Sequence, residues 1–316
     1  MSGYYLSAPV DEIELAASVA PSVAALGGRV PSSNELLELT RSRGLDYSTM
    51  YLYEALRAAP SNRAFIDALD TQPERAESAA STPKGKVLVV PALFYGHYPE
   101  TGADAALAQQ IARKTGFEAE RIPIRSVGTV AGNADIIRQH LEKETAENLW
   151  IFSVSKGSAD FRAFLQRCAD LPAVRRIRGW ISVCGLANGC HITDYNIATP
   201  LRALKYRAIC RLFGVSFELM RELATSNPLW RSELRLPENM RLFNFAAIPL
   251  PSHVQRSVMG RYRAISALGP NDGMVLCRDS ILDAGPVYPV WGCDHFFRAP
   301  QCSSILYRLF RHVKGL

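Results

Sequence analysis

One stretch near the middle of the chain restricts the possible folds more than any other. Residues 149–154 (LWIFSV) form a mostly apolar run, and residues 155–158 (SKGS) follow it with small and polar side chains. A helical pattern begins at once with residues 159–165 (ADFRAFL). A short continuous apolar run is typical of a strand that is buried on both faces. The stretch therefore predicts a buried strand that turns sharply into a helix, with Ser155 at the turn.

The chain after residue 86 repeats this alternation of strand and helix. Apolar runs predict strands at residues 87–90, 149–154, 177–184, 241–248 and 287–290. Amphipathic segments predict helices at residues 103–114, 133–143, 158–169 and 303–313. A weaker strand is predicted at residues 120–124, where a proline favours the edge of a sheet. The fold class is therefore α/β, a mostly parallel sheet with helices on both faces.

The N-terminal quarter lies outside this alternation. Residues 1–80 carry capping residues and helical leucine spacing, which predict a helical N-terminal extension. Residues 71–86 contain two prolines and mixed polar side chains, and they are the predicted linker. A second unit of the α/β class is predicted at residues 84–316.

An insertion interrupts the second unit. Residues 185–237 lie between two predicted strands and are too many for a plain connection. Within them an apolar stripe at helical spacing predicts an amphipathic helix; its members are Leu201, Leu204, Ala208 and Leu212. The insertion is predicted to be a cap that packs on the sheet. The alternative is a mobile lid whose apolar face covers a substrate pocket or touches lipid.

Composition excludes several classes of protein. Hydrophobic residues make up 48% and charged residues 21%, as in ordinary soluble globular proteins. Seven cysteines occur without a C-x-x-C pair or zinc-like spacing, which predicts reduced thiols and a cytoplasmic setting. No signal peptide is predicted, because acidic residues precede the apolar residues 13–27 where a basic region is required. No run reaches the roughly 18 apolar residues of a membrane span.

The net charge of +6 is unevenly distributed. Residues 1–80 hold six arginines and eleven acidic residues, a net of −5, and residues 81–316 hold the remaining net of +11. The simpler interpretation is an acidic arm on a basic body. The alternative is a body that attracts anionic substrates or a membrane surface. Nucleic acid is not an expected partner, because no basic run is interleaved with aromatic residues in a recognised module.

The turn at Ser155 has the pattern of a nucleophile elbow, in which a serine occupies a crowded turn between strand and helix. Small residues are needed two positions before and after the serine, and Ser153 and Gly157 stand there. Glycine is usual at both, so Ser153 is a departure. A serine also needs a base and an orienting carboxylate. Asp272 in an Asp-Gly turn and His295 after the last predicted strand follow it in the chain.

This order of serine, acid and histidine resembles the α/β-hydrolase superfamily, and within it the lipases and esterases. The resemblance covers about residues 84–316. It implies Ser155 as nucleophile, His295 as general base and acid, and Asp272 as the carboxylate that orients the histidine. Asp194, after the strand at residues 177–184, is the alternative acid.

Other charged residues near these motifs have simpler interpretations. Asp294 is adjacent to His295 in sequence and is expected to cap the loop. His191 and His253 lack a strand-and-loop context and are expected to be surface or cap residues.

The resemblance also implies an oxyanion hole built from two backbone N–H groups. One belongs to Lys156, whose side chain is expected to be solvated at the start of the helix. The other belongs by position to Leu93, with Phe94 one step further on. The family often has His-Gly in this loop, whereas this chain has Pro91-Ala92. The choice between Leu93 and Phe94 therefore stays open.

Apolar and aromatic side chains flank these motifs, and the candidates for the substrate pocket are Phe94, Tyr95, His97 and Phe296. They favour a serine hydrolase that cleaves a carboxylic ester with a lipid-like or other apolar acyl group through an acyl-enzyme. A thioesterase or acyltransferase with the same triad is one alternative, and an inactive hydrolase-fold binding protein is another. No metal or organic cofactor is expected. The expected partner is a small-molecule acyl substrate, with peripheral lipid contact as a further option.

Overall fold

The computed structural model describes residues 11–73 and 85–316. The helices in these residues are α1 Glu12–Ala24, α2 Ser33–Arg43, α3 Leu45–Ala58, α4 Pro60–Asp70, α5 Ala106–Lys114, α6 Val130–Lys143, α7 Lys156–Cys168, α8 His191–Ile197, α9 Pro200–Leu212, α10 Phe217–Leu223, α11 Pro228–Arg231, α12 Arg256–Ile265 and α13 Cys302–Lys314. The strands are β1 Lys86–Val90, β2 Glu118–Arg121, β3 Leu149–Val154, β4 Ile177–Val183, β5 Arg241–Ile248 and β6 Val287–Trp291.

The six strands form one parallel sheet in the order β2-β1-β3-β4-β5-β6. The predicted α/β class is confirmed, and β2 lies at an edge as its proline suggested. This strand runs over residues 118–121 rather than the predicted 120–124. Pro123 lacks an N–H group and cannot continue the ladder. Helix α6 starts at Val130, three residues before the prediction, because the Thr129 side chain accepts a hydrogen bond from Gly132 N and caps it.

Helices cover both faces of the sheet. On one face α6 and α7 contribute Ile137, Phe161 and Phe164 to a core that includes Ile151 and Trp180 of the strands. On the other face the core combines side chains of α4, α5 and α13 with strand residues; among them are Phe65, Ile111, Phe310, Phe152 and Phe243. Both faces are therefore apolar, which explains the continuous hydrophobic runs in the sequence.

The N-terminal helices share this core. The Phe65 ring of α4 stacks on Phe243 of β5 with 4.6 Å between centroids. Leu52 and Leu56 of α3 belong to one buried cluster with Ile248 of β5. The helices α3 and α4 thus complete the β5–β6 end of the sheet. The predicted division of the chain between residues 80 and 84 falls outside the described residues and stays a prediction.

The insertion at residues 185–237 forms α8 to α11, and part of it packs firmly on the sheet domain. The Arg162 guanidinium of α7 donates to the carbonyls of Ala187, Trp230 and Ser232. Helix α9 exists as predicted, but it turns Cys210 inward. Its predicted apolar stripe faces outward, with Leu201 exposed by 78%. Within the described residues this stripe does not pack on the sheet, and the cap at residues 185–237 stays a prediction.

No helix within residues 11–73 and 85–316 combines the length and the apolar character that crossing a membrane requires.

Candidate active site

Ser155 occupies the tight turn between β3 and α7. Its backbone has φ 51° and ψ −119°, a conformation that non-glycine residues rarely adopt. Three hydrogen bonds hold the turn: Ser155 N donates to Val183 O at 3.0 Å, and Ser155 O accepts from Ser158 N and Leu186 N at 3.0 and 3.2 Å. Such strain persists only where the surroundings fix it. The serine is therefore held in place at the carboxyl end of β3.

The residues two before and two after this serine have different reasons to be small. A Cβ on Gly157 would lie 2.2 Å from Val90 O and 2.8 Å from Pro91 O, so only glycine fits where α7 meets the end of β1. Ser153 is fully buried, and its Oγ accepts a hydrogen bond from Trp180 Nε1 at 2.7 Å. It also bonds to Ser158 Oγ at 2.8 Å. The Ser153 hydroxyl group thus makes hydrogen bonds beneath the turn that glycine could not make.

The three side chains predicted to act together form one hydrogen-bonded line. Ser155 Oγ lies 2.8 Å from His295 Nε2, and His295 Nδ1 lies 2.7 Å from Asp272 Oδ2. All three residues are buried. An ionised carboxylate only accepts hydrogen bonds, which assigns the imidazole proton to Nδ1. Nε2 is then the acceptor for the serine hydroxyl, as a general base must be.

The Asp272 carboxylate is fixed by the turn that carries it. Its Oδ1 accepts hydrogen bonds from Met274 N at 2.9 Å and Val275 N at 3.0 Å, which leaves Oδ2 for the histidine. Gly273 in this turn has φ 101°, and a Cβ there would lie 2.2 Å from Val258 Cγ1. The Asp-Gly pair in the sequence thus has a structural cause.

The rival acids have other partners. Asp194 Oδ1 accepts a hydrogen bond from Thr225 N at 3.1 Å inside the insertion. Asp294 accepts from Gln255 N at 2.9 Å and from Phe296 N at 3.1 Å, so it caps the loop as expected. Neither carboxylate reaches the imidazole that Asp272 holds.

The other two candidate histidines also have their own partners. His191 Nε2, on α8, lies 3.2 Å from Asp279 Oδ2. His253 Nε2 lies 2.8 Å from Glu12 Oε1 of α1, so it ties the N-terminal helices to the segment after β5.

The backbone N–H groups of Lys156 and Leu93, the two expected oxyanion donors, donate to no backbone carbonyl in the described part of the chain. The first is free because it lies in the first turn of α7. Phe94 N, by contrast, donates to Ser126 O at 3.0 Å. Of the two residues left open by the sequence, Leu93 is therefore the better placed donor. Gly157 contacts the carbonyls of Val90 and Pro91, so the loop that carries Leu93 begins against the turn at Ser155.

The four aromatic pocket candidates separate into two pairs. Tyr95 donates its hydroxyl to Ile124 O, and His97 is exposed with Nδ1 3.3 Å from Ser126 Oγ. Both are thus engaged with the segment after β2. The sequence alone could not show this, because the partners lie some 29 residues away in the chain.

The second pair borders the insertion and the histidine loop. Phe94 is half-buried, and its ring centroid lies 6.4 Å from that of Phe213, which follows α9. Phe296 is half-buried among residues of α12, with the Arg261 guanidinium 5.9 Å from its ring centroid. These two residues remain candidates for contact with an apolar group.

The side chain of Lys156 departs from expectation. It is 2% exposed, and its Nζ lies 2.6 and 2.8 Å from the two oxygens of Asp160. Asn133 Nδ2 donates to the same carboxylate at 2.8 Å. Burial raises the pKa of Asp160 to about 6, against the opposing influence of Lys156 and Asn133. The expectation of a solvated lysine is wrong, and the i, i+4 spacing of Lys156 and Asp160 was the signal for a pair.

One group of potential metal ligands lies away from this site, and its members are Glu120, His140 and Glu144. The Lys86 ammonium group lies 2.9 Å from Glu120 and 2.7 Å from Glu144. The Lys86 ammonium group thus pairs with both carboxylates, and the cluster is an ion-pair network at the edge of the sheet.

Comparisons with known proteins place the fold. No protein-family model matches the sequence, and no curated protein matches it. Among solved structures, the metagenomic carboxyl esterase MGS0156 is similar with a TM-score of 0.59 and 20% identity, over 78% of this chain and 79% of that one. The mature lipase BlEst2 of Bacillus licheniformis is similar with a TM-score of 0.51 and 16% identity, over 75% and 95%. The chain has the α/β-hydrolase fold.

Proposed function

We propose that this chain is a serine hydrolase that cleaves carboxylic esters with a lipid-like or other apolar acyl group. The observation that carries the proposal is the hydrogen-bonded line from Ser155 through His295 to Asp272. The N–H groups of Lys156 and Leu93, which donate to no backbone carbonyl among the described residues, support it. The fold supports it, since the serine lies at the end of β3 where hydrolases of this fold place their nucleophile.

In the acylation step, Ser155 Oγ attacks the carbonyl carbon of the ester while His295 Nε2 takes the hydroxyl proton. The Asp272 carboxylate stabilises the imidazolium ion that forms. The negative oxygen of the tetrahedral intermediate accepts hydrogen bonds from Leu93 N and Lys156 N. Each such donor contributes about 3 to 4 kcal/mol to transition-state stabilisation. The imidazolium then protonates the leaving alcohol, and the acyl group stays on the serine.

Deacylation repeats these steps with water as the nucleophile. His295 Nε2 removes a proton from the water, which attacks the acyl carbonyl, and the same two N–H groups bind the developing oxyanion. Protonation of Ser155 Oγ releases the carboxylic acid.

Two observations favour a carboxylic ester as the proposed substrate. The two similar structures described above are a carboxyl esterase and a lipase. Half-buried Phe94 and Phe296 also flank the loops that carry Leu93 and His295, and they offer apolar contact to an acyl group. A thioesterase or acyltransferase uses the same acyl-enzyme, and the fold does not separate these activities.

Hydrolysis of nitrophenyl esters over a series of acyl chain lengths tests this proposal. We expect turnover by the wild-type chain, and loss of it in Ser155→Ala with the melting temperature little changed. Ser257→Ala, at an exposed serine of α12, is the matched control and should retain full activity. Equal turnover by Ser155→Ala would contradict the assignment. Turnover of acyl thioesters but not oxygen esters would favour the thioesterase alternative.

A further inference from the structure

Helix α9 combines an exposed apolar stripe with a purely positive set of charged side chains. Leu201, Leu204 and Leu212 are 78%, 66% and 80% exposed, whereas soluble monomers seldom expose contiguous apolar side chains. The helix carries four basic residues and no acidic one; the basic residues are Arg202, Lys205, Arg207 and Arg211. No described residue covers the stripe, so its exposure requires an explanation.

The helical repeat of 100° per residue separates three faces of α9. The inward face carries Cys210, which is buried against the protein. The outward face, nearly opposite, carries the leucine stripe. Lys205 and Arg202 lie on one side of that stripe, and Arg211 and Arg207 lie on the other. The outward face is therefore an apolar strip between two basic margins, which is the pattern of a helix that lies in a lipid interface.

This surface continues to the candidate active site. Phe213 follows α9 directly and is 43% exposed. Its ring centroid is 6.4 Å from that of Phe94, which in turn is 6.0 Å from the ring of Tyr98, exposed by 40%. Phe94 is adjacent to Leu93, the proposed oxyanion donor. The exposed apolar surface thus reaches the loop that borders the site.

We propose that α9 docks this chain on the surface of an anionic lipid bilayer, with the leucines among the headgroups and the basic residues near lipid phosphates. Basic residues near an anionic surface are attracted to it, and their contributions add. A second copy of the chain fits the surface less well, because two-fold contact would oppose four positive charges with four more. Residues 81–316 as a whole carry a net charge of +11, which adds to the attraction.

Sedimentation with vesicles tests this docking without relying on the proposed ester hydrolysis. The full-length Ser155→Ala chain should bind vesicles of phosphatidylcholine mixed with phosphatidylglycerol, and bind phosphatidylcholine alone at least about tenfold more weakly. High salt should weaken the binding. Replacing Leu201, Leu204 and Leu212 together by serine should abolish it while the melting temperature stays within a few degrees. Leu107→Ser, at another exposed leucine, is the control and should bind normally.

Two results would overturn the proposal. One is equal sedimentation of the triple-serine chain and the parent chain. The other is a dimer in solution, measured by light scattering, that the three serine substitutions dissociate; it would assign the surface to a second copy. Absence of ester turnover by the wild-type chain, with vesicle binding intact, would refute the hydrolase assignment alone.

A different observation carries a second inference, which rests on the proposed function. The buried pair of Lys156 and Asp160 continues into Asn133, whose Oδ1 accepts from Arg125 N at 3.1 Å and whose Nδ2 donates to Arg125 O at 3.2 Å. Ser126 comes next in the chain. The network thus links the first turn of α7 to the segment after β2.

Ser126 in turn holds the loop after β1. Its carbonyl accepts a hydrogen bond from Phe94 N at 3.0 Å, and its Oγ accepts one from Gly96 N at 3.1 Å. Phe94 is adjacent to Leu93. A path of hydrogen bonds, with the peptide link between Arg125 and Ser126, therefore joins the Lys156 side chain to Phe94, the neighbour of the other proposed oxyanion donor Leu93.

We infer that Lys156, Asp160 and Asn133 are positioning residues that fix the two oxyanion donors relative to each other. Their side chains touch no reacting atom; the proposed oxyanion donor of Lys156 is its backbone N–H group. Oxyanion donors must lie about 2.7 to 3.1 Å from the developing oxyanion, so a small relative shift of α7 and the loop costs transition-state binding. Ground-state binding depends less on that spacing.

The double variant Lys156→Met/Asp160→Leu removes both charges, so that no uncompensated charge stays buried. We expect kcat to fall by about tenfold or more with KM within about twofold, and the affinity for a boronic acid transition-state analogue to fall in parallel with kcat. Lys86→Met, which breaks an ion pair at the far end of β1, is the control and should leave kcat unchanged. An unchanged kcat in the double variant would overturn the inference. Absence of turnover in the wild-type chain would instead refute the proposed function.

Discussion

At the scale of single residues, the backbone conformation of Ser155 lowers the stability of the folded chain. Its positive φ is open to glycine and unfavourable for residues with a Cβ, at a cost of about 1 to 3 kcal/mol. The hydrogen bonds of the turn keep the serine there in spite of this cost. A residue held at a loss of stability is expected where its position serves function.

This strain predicts a difference in stability between two variants of Ser155. Ser155→Gly and Ser155→Ala both remove the hydroxyl group, but only glycine relaxes at φ 51°. The free energy of unfolding, measured in urea, should be about 1 kcal/mol greater for Ser155→Gly than for Ser155→Ala. Equal stabilities, or a more stable alanine variant, would show that the turn is unstrained.

Asp160 predicts a pH dependence of stability. Because burial raises its pKa to about 6 from the ordinary 3.8, the folded chain retains a proton between these values that the unfolded chain has released. Rising pH then favours unfolding through this group, by an amount on the order of 2 kcal/mol. The stability of the wild-type chain relative to Asp160→Asn should fall from about pH 4 to about pH 6 and stay level above it. A relative stability that rises over this range would show that Lys156 outweighs burial.

At the scale of elements, the contact between α7 and the end of β1 sets the geometry around the serine. Gly157→Ala would push a methyl group to within 2.2 Å of Val90 O, so the elbow or the strand must move. We expect a loss of about 1 to 3 kcal/mol in unfolding free energy and a large fall in ester turnover. Gly260→Ala, in α12, meets no atom within 4 Å and should be neutral or slightly stabilising. Full activity in Gly157→Ala would contradict this packing.

The elements differ in how well the sequence predicts them. The bounds of β3 and β5 agree with the sequence-based prediction because both strands are buried on two faces and end in clear turns. Helix α9 could be predicted as amphipathic, but periodicity does not say which face the rest of the chain covers. The burial of the Lys156 side chain could not be predicted for a related reason. Its partner Asp160 lies in the same helix, but Asn133, which donates to the same carboxylate, comes from α6.

The site was predictable to the extent that chain order determines it. Ser155, Asp272 and His295 follow three strands whose carboxyl ends meet at one edge of the sheet, so their meeting follows from the fold. The choice of Leu93 over Phe94 required the structure, because it depends on which N–H group Ser126 occupies.

At the scale of the whole molecule, the N-terminal helices belong to the folded core. A chain that begins at residue 83 would lose the Phe65 ring from its stack on Phe243 and would expose Ile248 of β5. Burying an apolar side chain of this size contributes about 1.5 to 3 kcal/mol. We expect the shortened chain to aggregate or to melt at a much lower temperature. An unchanged melting temperature would show that residues 1–82 form an independent module.

The measurement that tests the central claim most directly is labelling with a fluorophosphonate probe followed by mass spectrometry of the labelled peptide. Such probes react only with a serine that a neighbouring base activates. The proposal predicts one labelled peptide, modified at Ser155, and no labelling in Ser155→Ala. Labelling at another serine, or a wild-type chain that stays unlabelled at saturating probe, would contradict it.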